Sequence, residues 1–280
     1  MEIMDSEGYA HPEVLVDTAW LAGHLHDPGL RVVEVDVSPA AYREGHIPGA
    51  VLWNVYQDLK DGDYRLVDRA AIERLVQRSG ITRESSVVFY GYAPAMGFWL
   101  VKLFGHPQAR ILNASRATWQ RECRPWTTDV DAPAETHYPL PGEDERIRAQ
   151  QPAVESAIGE SGRIILDVRT APEYRGERFW PSGCMEEGGR AGHIPSAALV
   201  PIDGLQDENG AFRPPADLRR HFSQIDLGAG QEVIPYCTIG GRACTAWFAL
   251  TQLMGHDRTR VYDGSWAEWG RMPASPIEPS

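Results

Sequence analysis

The feature that most constrains the fold of this chain is an internal repeat, spaced at about half of its length. Residues 35–37, 42–43 and 45–50 read VDV, YR and GHIPGA, and they return at 166–168, 174–175 and 192–197 as LDV, YR and GHIPSA. Residues 87–90 and 105–106 similarly return at 233–236 and 255–256. Such ordered self-similarity indicates two related structural units. A chain of 280 residues is long enough for each unit to bury a core of its own.

The repeat divides the chain into a first domain (1–122), a linker (123–151) and a second domain (152–280). The linker segment is polar and carries Pro125, Pro133, Pro139 and Pro141 with little periodicity, which is typical of a connection that crosses the surface. The second half also has an insertion between Tyr174 and Gly192. A loop of this length is of the kind that shapes a site.

Short β-rich runs alternate with helical patterns in both halves. Strands are predicted at 31–37, 86–90, 163–168, 198–201, 232–236 and 260–262, and helices at 68–78 and 243–254. Alternation of this kind predicts an α/β fold in which each half is a small parallel sheet with helices on both faces. Pro235 conflicts with a central strand at 232–236, because proline cannot donate a ladder hydrogen bond. Either that bond falls on an unpaired side or the strand is shorter.

Charge and composition exclude several classes of protein. The formal net charge is −12, which disfavours nucleic acid and acidic membrane surfaces as partners, and no apolar run is long enough to span a membrane. The acidic N-terminus lacks the features of a secretory signal. Four scattered cysteines without a C-x-x-C pair favour neither a disulfide scaffold nor a zinc site. We therefore expect a cytoplasmic protein without metal or cofactor.

The segment Tyr236-Cys237-Thr238-Ile239-Gly240-Gly241-Arg242-Ala243 lies where a strand is predicted to end and a helix to begin. Functional crevices of parallel sheets form at such places, and a glycine-containing loop can direct backbone N–H groups inward as an anion site. These donors, the helix N-terminus and Arg242 should stabilise the thiolate of Cys237 and make it a nucleophile. The alternative is a cysteine that is buried only for packing.

These motifs resemble the tandem rhodanese family, which contains thiosulfate and 3-mercaptopyruvate sulfurtransferases. The residues that carry the resemblance are 236–242, Leu166-Asp167-Val168-Arg169, the two Gly-His-Ile-Pro motifs and Tyr262-Asp263-Gly264-Ser265-Trp266. The resemblance implies that Cys237 accepts a sulfane sulfur as a persulfide and passes it to cyanide or a thiol. It also implies that the loop Cys237–Arg242, with Thr238, Ile239, Gly240 and Gly241, cradles the terminal sulfur.

In the first half, Gly91 occupies the position that matches Cys237, so this half is expected to be catalytically silent and to close one wall of the site. The loop fits neither donor class well: Thr238 is uncharged, whereas many thiosulfate enzymes have a basic residue there, and the Gly-Ser-Gly-Val-Thr pattern of mercaptopyruvate enzymes is absent. The arginine-terminated loop resembles some bacterial thiosulfate-type members. Thiosulfate is therefore the first choice of donor and 3-mercaptopyruvate the second.

Further site residues are proposed from chemistry and position. Arg190 and Arg175 could bind a donor anion through forked hydrogen bonds, although pairing with nearby glutamates is an equal possibility. Trp266 could line the rim of the pocket or simply pack. His46 and His193 lie in identical turns, which favours a role in bracing those turns over catalysis.

Three other functions compete with sulfur transfer by an enzyme. A cysteine phosphatase or arsenate reductase would also place Cys before Arg, but phosphatases need C-x5-R and this chain has C-x4-R. A sulfur-relay protein would hand its persulfide to a protein partner docked on the loop 176–191. An inactive binding module would carry no sulfur on Cys237 under any donor.

Overall fold

The computed structural model describes residues 8–130, 132–228 and 230–278. The first half contains five strands: β1 (Leu15–Val16), β2 (Leu30–Asp36), β3 (Ala50–Asn54), β4 (Ser86–Gly91) and β5 (Ala109–Leu112). Its helices are α1 (Thr18–His24), α2 (Pro39–Glu44), α3 (Arg69–Arg78), α4 (Pro94–Leu103) and α5 (Arg116–Arg121). The strands form one parallel sheet in the order β1-β5-β4-β2-β3.

The second half repeats this order. Its strands are β6 (Arg148–Ala149), β7 (Arg163–Asp167), β8 (Ala198–Leu199), β9 (Glu232–Tyr236) and β10 (Val261–Tyr262). Its helices are α6 (Gln151–Glu155), α7 (Ala171–Tyr174), α8 (Pro215–His221), α9 (Gly241–Phe248) and α10 (Ser265–Trp269). Strand β10 pairs with β6, and β7 pairs with both β8 and β9, all in parallel. A parallel bridge between Val233 and Thr259 joins these two groups and gives the order β6-β10-β9-β7-β8.

Pro235 lies within β9, so the predicted strand has its full length. Tyr236 faces β7, because its carbonyl accepts from the N–H of Val168. Val233 faces the opposite side, where it bonds to the backbone of Arg258 and Arg260. Because backbone groups alternate between the two sides, the nitrogen of Pro235 faces that second side, where Val233 and Thr259 form an isolated bridge and not a continuous ladder.

The helix predictions are confirmed with one shift. Asp68 caps α3, since its carboxylate accepts from the N–H of Ala71. Helix α9 begins at Gly241, two residues before the predicted start, and continues as a π-helix from Ala249 to Leu253. The earlier start brings Gly241 and Arg242 into the first turn of the helix.

Both sheets are covered by helices on two faces, as predicted. In β2 and β4, Val33 and Phe89 point to the face that holds α3 and α4, whereas Val32 and Val88 point to the face that holds α1 and α5. The core on the α4 side continues into the second half. There Phe98 of α4 meets Phe248 of α9 edge to face, with ring centroids 4.9 Å apart. The two helices that follow the two repeated loops therefore pack against each other.

The two Gly-His-Ile-Pro turns are braced in the same way. His46 stacks on Tyr42 with ring centroids 3.8 Å apart, and His193 stacks on Tyr174 at 3.6 Å. Each histidine Nδ1 also lies within hydrogen-bond distance of the carbonyl oxygen of its tyrosine. The bracing role that the sequence favoured for both histidines is confirmed.

The connection between the halves has no helix or strand in residues 122–130 and 132–147. It is nevertheless attached to the first half: Tyr138 and Leu140 are buried, and the N–H of Leu140 donates to the Glu73 carboxylate at 2.9 Å. The predicted domain limits stay a prediction. Among the described residues, no helix is long and apolar enough to cross a membrane.

Candidate functional site

Cys237 follows β9 directly and is 1% exposed. The backbone N–H of Gly240 points at its sulfur, with nitrogen and Sγ 3.1 Å apart. The loop therefore folds back over the sulfur before the chain enters α9, as the strand-to-helix placement suggests. Sγ thus lies at the N-terminal end of α9 and accepts a backbone N–H.

Gly240 is required by this geometry. Its φ is +96°, a region that other residues enter only with strain, and an added Cβ would lie 2.8 Å from the carbonyl oxygen of Asp263. The close approach lets the 237–240 loop lie directly on the turn that follows β10. A side chain here would separate the two segments and move the N–H away from Sγ.

Arg242 forms a bidentate ion pair with the buried carboxylate of Glu173. Its Nη1 donates to Oε2 at 2.9 Å and its Nη2 donates to Oε1 at 2.7 Å. Thr238 joins them, since its hydroxyl donates to Oε1 of Glu173 at 2.8 Å. Glu173 also completes a capping box with Thr170 at the start of α7. These contacts fix both ends of the loop to one carboxylate.

The contacts of Glu173 with Arg242 and Thr238 form a brace for the loop, and the charges of its two ionisable groups follow from their surroundings. Burial raises the pKa of Glu173, but the hydrogen bonds and charge of Arg242, together with hydrogen bonds from Thr170, lower it to about 2. Burial works against the charge of Arg242, yet Glu173 raises its pKa overall. Glu173 is therefore an anion and Arg242 a cation at neutral pH.

A second set of backbone contacts comes from the turn that follows β10. The hydroxyl of Ser265 accepts from the N–H of Cys237 at 3.1 Å and donates to the carbonyl of Tyr262 at 2.8 Å. The N–H groups of Trp266 and Ala267 donate to the carbonyls of Cys237 and Thr238 at 3.0 and 2.8 Å. The loop that carries the cysteine is thus held along its backbone as well as through its side chains.

A cavity of about 90 Å³ opens above Cys237 and is built by both halves. The first half contributes Val37, Val55, Tyr56, Tyr92 and Ala93. The second half contributes Trp180 and Pro181 from the insertion, and Cys237, Thr238, Ile239, Gly241 and Arg242 from the loop and helix. The expectation that the first half closes one wall is confirmed. Most of the lining is aliphatic or aromatic, and among the described residues Arg242 is the charged side chain that lines it.

Four of the five predicted loop residues line this cavity, and the fifth, Gly240, supplies the N–H to the sulfur. The predicted anion ligands lie elsewhere. Arg175 is exposed and pairs with Glu177 at 2.6 Å, and Arg190 binds the carbonyl of Met272 against the C-terminal segment. Neither residue lines the cavity, because the insertion folds its Trp180-Pro181 segment over the site instead.

The rim position for Trp266 is wrong. Its side chain is fully buried in the second-half core, with the guanidinium of Arg169 4.5 Å from its ring centroid. Cys244, the fourth residue of α9, is buried in the core, and Cys184 is exposed in the insertion. All four cysteines are free.

Sequence reasoning missed Glu173, Tyr56, Tyr92 and Trp180 as site residues. Glu173 had a local signal, because Thr170-x-x-Glu173 has the spacing of a capping box, and Trp180 lies in the insertion that was expected to shape a site. The aromatic residues come from three separate segments, and their convergence depends on the packing of the two halves.

The profile of the rhodanese-like domain matches this sequence twice, over residues 17–122 and 151–272. The chain therefore belongs to the rhodanese-like family and carries two copies of its domain. A sulfur carrier protein, TtuD of Thermus thermophilus, is 38% identical over 279 residues, covering 96% of this chain and 98% of the relative. A thiosulfate sulfurtransferase of Corynebacterium glutamicum is 38% identical over 280 residues, covering 97% and 92%.

A solved structure has the same fold at lower sequence similarity. It is an EanB variant with a cysteine persulfide, in a tetrahedral intermediate state with ergothioneine, and it superposes with a TM-score of 0.85. The identity is 21%, with 97% of this chain and 72% of that chain covered. This likeness supports the tandem architecture of the fold.

Proposed function

We propose that this protein is a sulfurtransferase that carries a sulfane sulfur on Cys237, with thiosulfate as the preferred donor. The observation that carries the proposal is the backbone N–H of Gly240 directed at Sγ at 3.1 Å, on the floor of a largely apolar cavity. A thiolate or a persulfide anion is stabilised by such a donor where water is scarce. The names of the two full-length relatives agree with sulfur transfer.

The chemistry needs two displacements at sulfur. The thiolate of Cys237 attacks the outer sulfur of thiosulfate, the S–S bond of the donor breaks, and sulfite leaves with the electron pair. Cyanide or a thiolate then attacks the terminal sulfur of the persulfide, and the Cys237 thiolate leaves. No proton has to be moved when the attacking groups are anions, which fits a loop without a general base.

Arg242 is proposed to bind the negative end of the donor while remaining anchored. Its contacts with Glu173 and Thr238 occupy part of its guanidinium and fix its direction at the cavity wall. Because Glu173 compensates its charge, the attraction for an anion is modest. Sulfite, once formed, is therefore not held tightly.

Turnover with thiosulfate and cyanide tests the proposal. Wild-type protein should produce thiocyanate continuously, and Cys237→Ser should produce none. Cys244→Ala, which changes the buried cysteine in the following helix, should retain activity and serves as the matched control. Equal activity of the Cys237→Ser variant would contradict the assignment, and faster turnover with 3-mercaptopyruvate would make pyruvate the leaving product.

A sulfur-relay role is the second candidate, favoured by the similarity to a sulfur carrier protein. It predicts that thiosulfate loads one sulfur on Cys237 but that cyanide supports only slow turnover. A thiol of a protein would then be the acceptor. Two exposed free cysteines, Cys123 and Cys184, suit a reducing compartment, and we propose the cytoplasm as the location.

A further inference from the structure

A buried lysine of the first half, Lys60, contacts the turn on which the cysteine loop lies. Lys60 belongs to a hairpin in which Lys60 pairs with Leu66 in an antiparallel bridge. Its ammonium donates to the carbonyl oxygen of Asp263 at 2.7 Å and lies 3.7 Å from the Asp263 carboxylate. The lysine and aspartate side chains are 1% and 4% exposed.

Asp263 collects contacts from three parts of the chain. Besides Lys60, the N–H of Leu66 donates to Oδ2 at 2.9 Å, and Arg148, from β6, donates to Oδ1 at 2.8 Å. Two cations and a backbone N–H thus compensate one buried carboxylate, a pattern that fixes a group firmly. The backbone of Asp263 is held at the boundary of the two halves.

That backbone is the surface on which the cysteine loop rests. The carbonyl oxygen that accepts from Lys60 is the atom lying 2.8 Å from the position of a Cβ at Gly240. Gly240 in turn provides the N–H to Sγ of Cys237, and Ser265, two residues after Asp263, accepts from the N–H of Cys237. A displacement of the Asp263 carbonyl would therefore move the groups that position the sulfur.

The choice of lysine is itself unusual in this chain. Of its 27 basic side chains only two are lysines, Lys60 and Lys102. A narrow four-carbon stem with a compact ammonium can reach a carbonyl through a packed boundary where a planar guanidinium needs more room. At an exposed position, lysine and arginine would both have room, so this difference in shape would not matter.

We infer that Lys60 is a positioning residue for Cys237, through which the half without a nucleophile sets the geometry of the reacting sulfur. The inference deepens the proposed function and rests on it for the sulfur-loading readout. It assigns Lys60 no contact with donor or acceptor. Its effect should therefore fall on the rate constant at saturating donor and leave the donor KM unchanged.

The test compares Lys60→Met with wild type, Lys60→Arg and the control Lys102→Met. Two rates are measured on folded protein: persulfide formation at saturating thiosulfate, and alkylation of Cys237 by iodoacetamide, followed by peptide mass spectrometry. Lys60→Met should slow both by about tenfold or more, as misplacement of a reacting group does. Lys60→Arg should restore part of each rate, and Lys102→Met should equal wild type.

Rates for Lys60→Met within threefold of wild type, in protein whose thermal stability is reduced, would overturn the inference and leave Lys60 a structural contact. If Lys60→Met does not fold, Lys60→Arg is compared with wild type instead. Its larger guanidinium should displace the Asp263 carbonyl and leave both rates more than threefold below wild type. Rates within threefold of wild type would again overturn the inference. Alkylation needs no sulfur transfer. It therefore tests Lys60 even if wild-type protein takes up no sulfur, an outcome that would reject the proposed function alone.

Discussion

The loops after β4 and β9 start from the same place in the repeat and end differently. Tyr90 in β4 and Tyr236 in β9 are equivalent, and each tyrosine hydroxyl accepts from the backbone N–H of the isoleucine in its Gly-His-Ile-Pro turn. After Tyr90, three residues lead to α4, whereas four lead from Tyr236 to α9. The first loop is shorter, lacks a cysteine and enters its helix at Pro94.

The brace around the second loop is also missing from the first half. Glu173 precedes Tyr174, and the residue that precedes the matching Tyr42 is Ala41. Arg242 is the second residue of α9, and the second residue of α4 is Ala95. The scaffold of the repeat is therefore retained in both halves, while Glu173 and Arg242 are replaced by Ala41 and Ala95 at the matching positions of the first half. The other half supplies cavity wall and, as we infer, positioning.

The largest effect is expected when the nucleophile is moved from the second half to the matching position of the first half. Gly91→Cys in a Cys237→Ser background should load no sulfur, because Gly91 has φ +107° and its Cβ would lie 2.9 Å from the carbonyl of Val35. Intact-protein mass spectrometry after incubation with thiosulfate measures the outcome. A gain of sulfur by this variant would show that the scaffold alone suffices, with Cys237→Ser as the control.

Removing the charge of Glu173 should have the next largest effect. Its pKa of about 2, against 4.5 for an ordinary glutamate, corresponds to about 3 kcal/mol of stability in the folded protein. A lowered carboxyl pKa stabilises above pH 4.5, and the contribution disappears as pH falls from 4.5 towards 2. Glu173→Gln should thus lose about 3 kcal/mol at pH 7 and differ less from wild type at pH 3.

Urea unfolding of both proteins at pH 7 and pH 3 measures this difference. Ala41→Gln, at the matching position of the first half, is the control and should show no comparable dependence on pH. A constant gap between Glu173→Gln and wild type at both pH values would argue that Glu173 acts through packing and not through its charge.

Gly240→Ala should cost less stability but should act directly on the sulfur. The left-handed backbone and the contact with the Asp263 carbonyl predict a loss of about 2 kcal/mol and slower sulfur loading. Gly162→Ala is the matched control, since Gly162 has φ +92° with no atom near its Cβ position. If both variants load sulfur at the same rate, the close approach at Gly240 is unimportant for the chemistry.

The smallest effect is expected for the wall contributed by the first half. Tyr92 lines the cavity but is 62% exposed, so Tyr92→Ala should raise the donor KM by about threefold, a change of under 1 kcal/mol. The rate constant at saturating donor should not change. A fall in that rate constant would mean that Tyr92 takes part in the reaction.

The repeat and the strand-to-helix loop made much of this structure predictable. Periodicity located β2, β4, β7 and β9 within one or two residues, and equivalent motifs predicted that both halves share one fold. Local reasoning could not place Arg175, Arg190 and Trp266, because their neighbours are set by how the insertion and the C-terminal segment fold back. The Lys60–Asp263 contact joins residues 203 positions apart and has no local signature.

One cysteine of the four, Cys237, is proposed to carry the transferred sulfur. Loading the wild-type protein with thiosulfate labelled isotopically in the outer sulfur, and locating the label by peptide mass spectrometry, identifies the cysteine that takes up the sulfur. We expect one labelled sulfur per chain, on the peptide that contains Cys237, and none on Cys123, Cys184 or Cys244. Label on another cysteine, or no label on Cys237, would contradict this proposal.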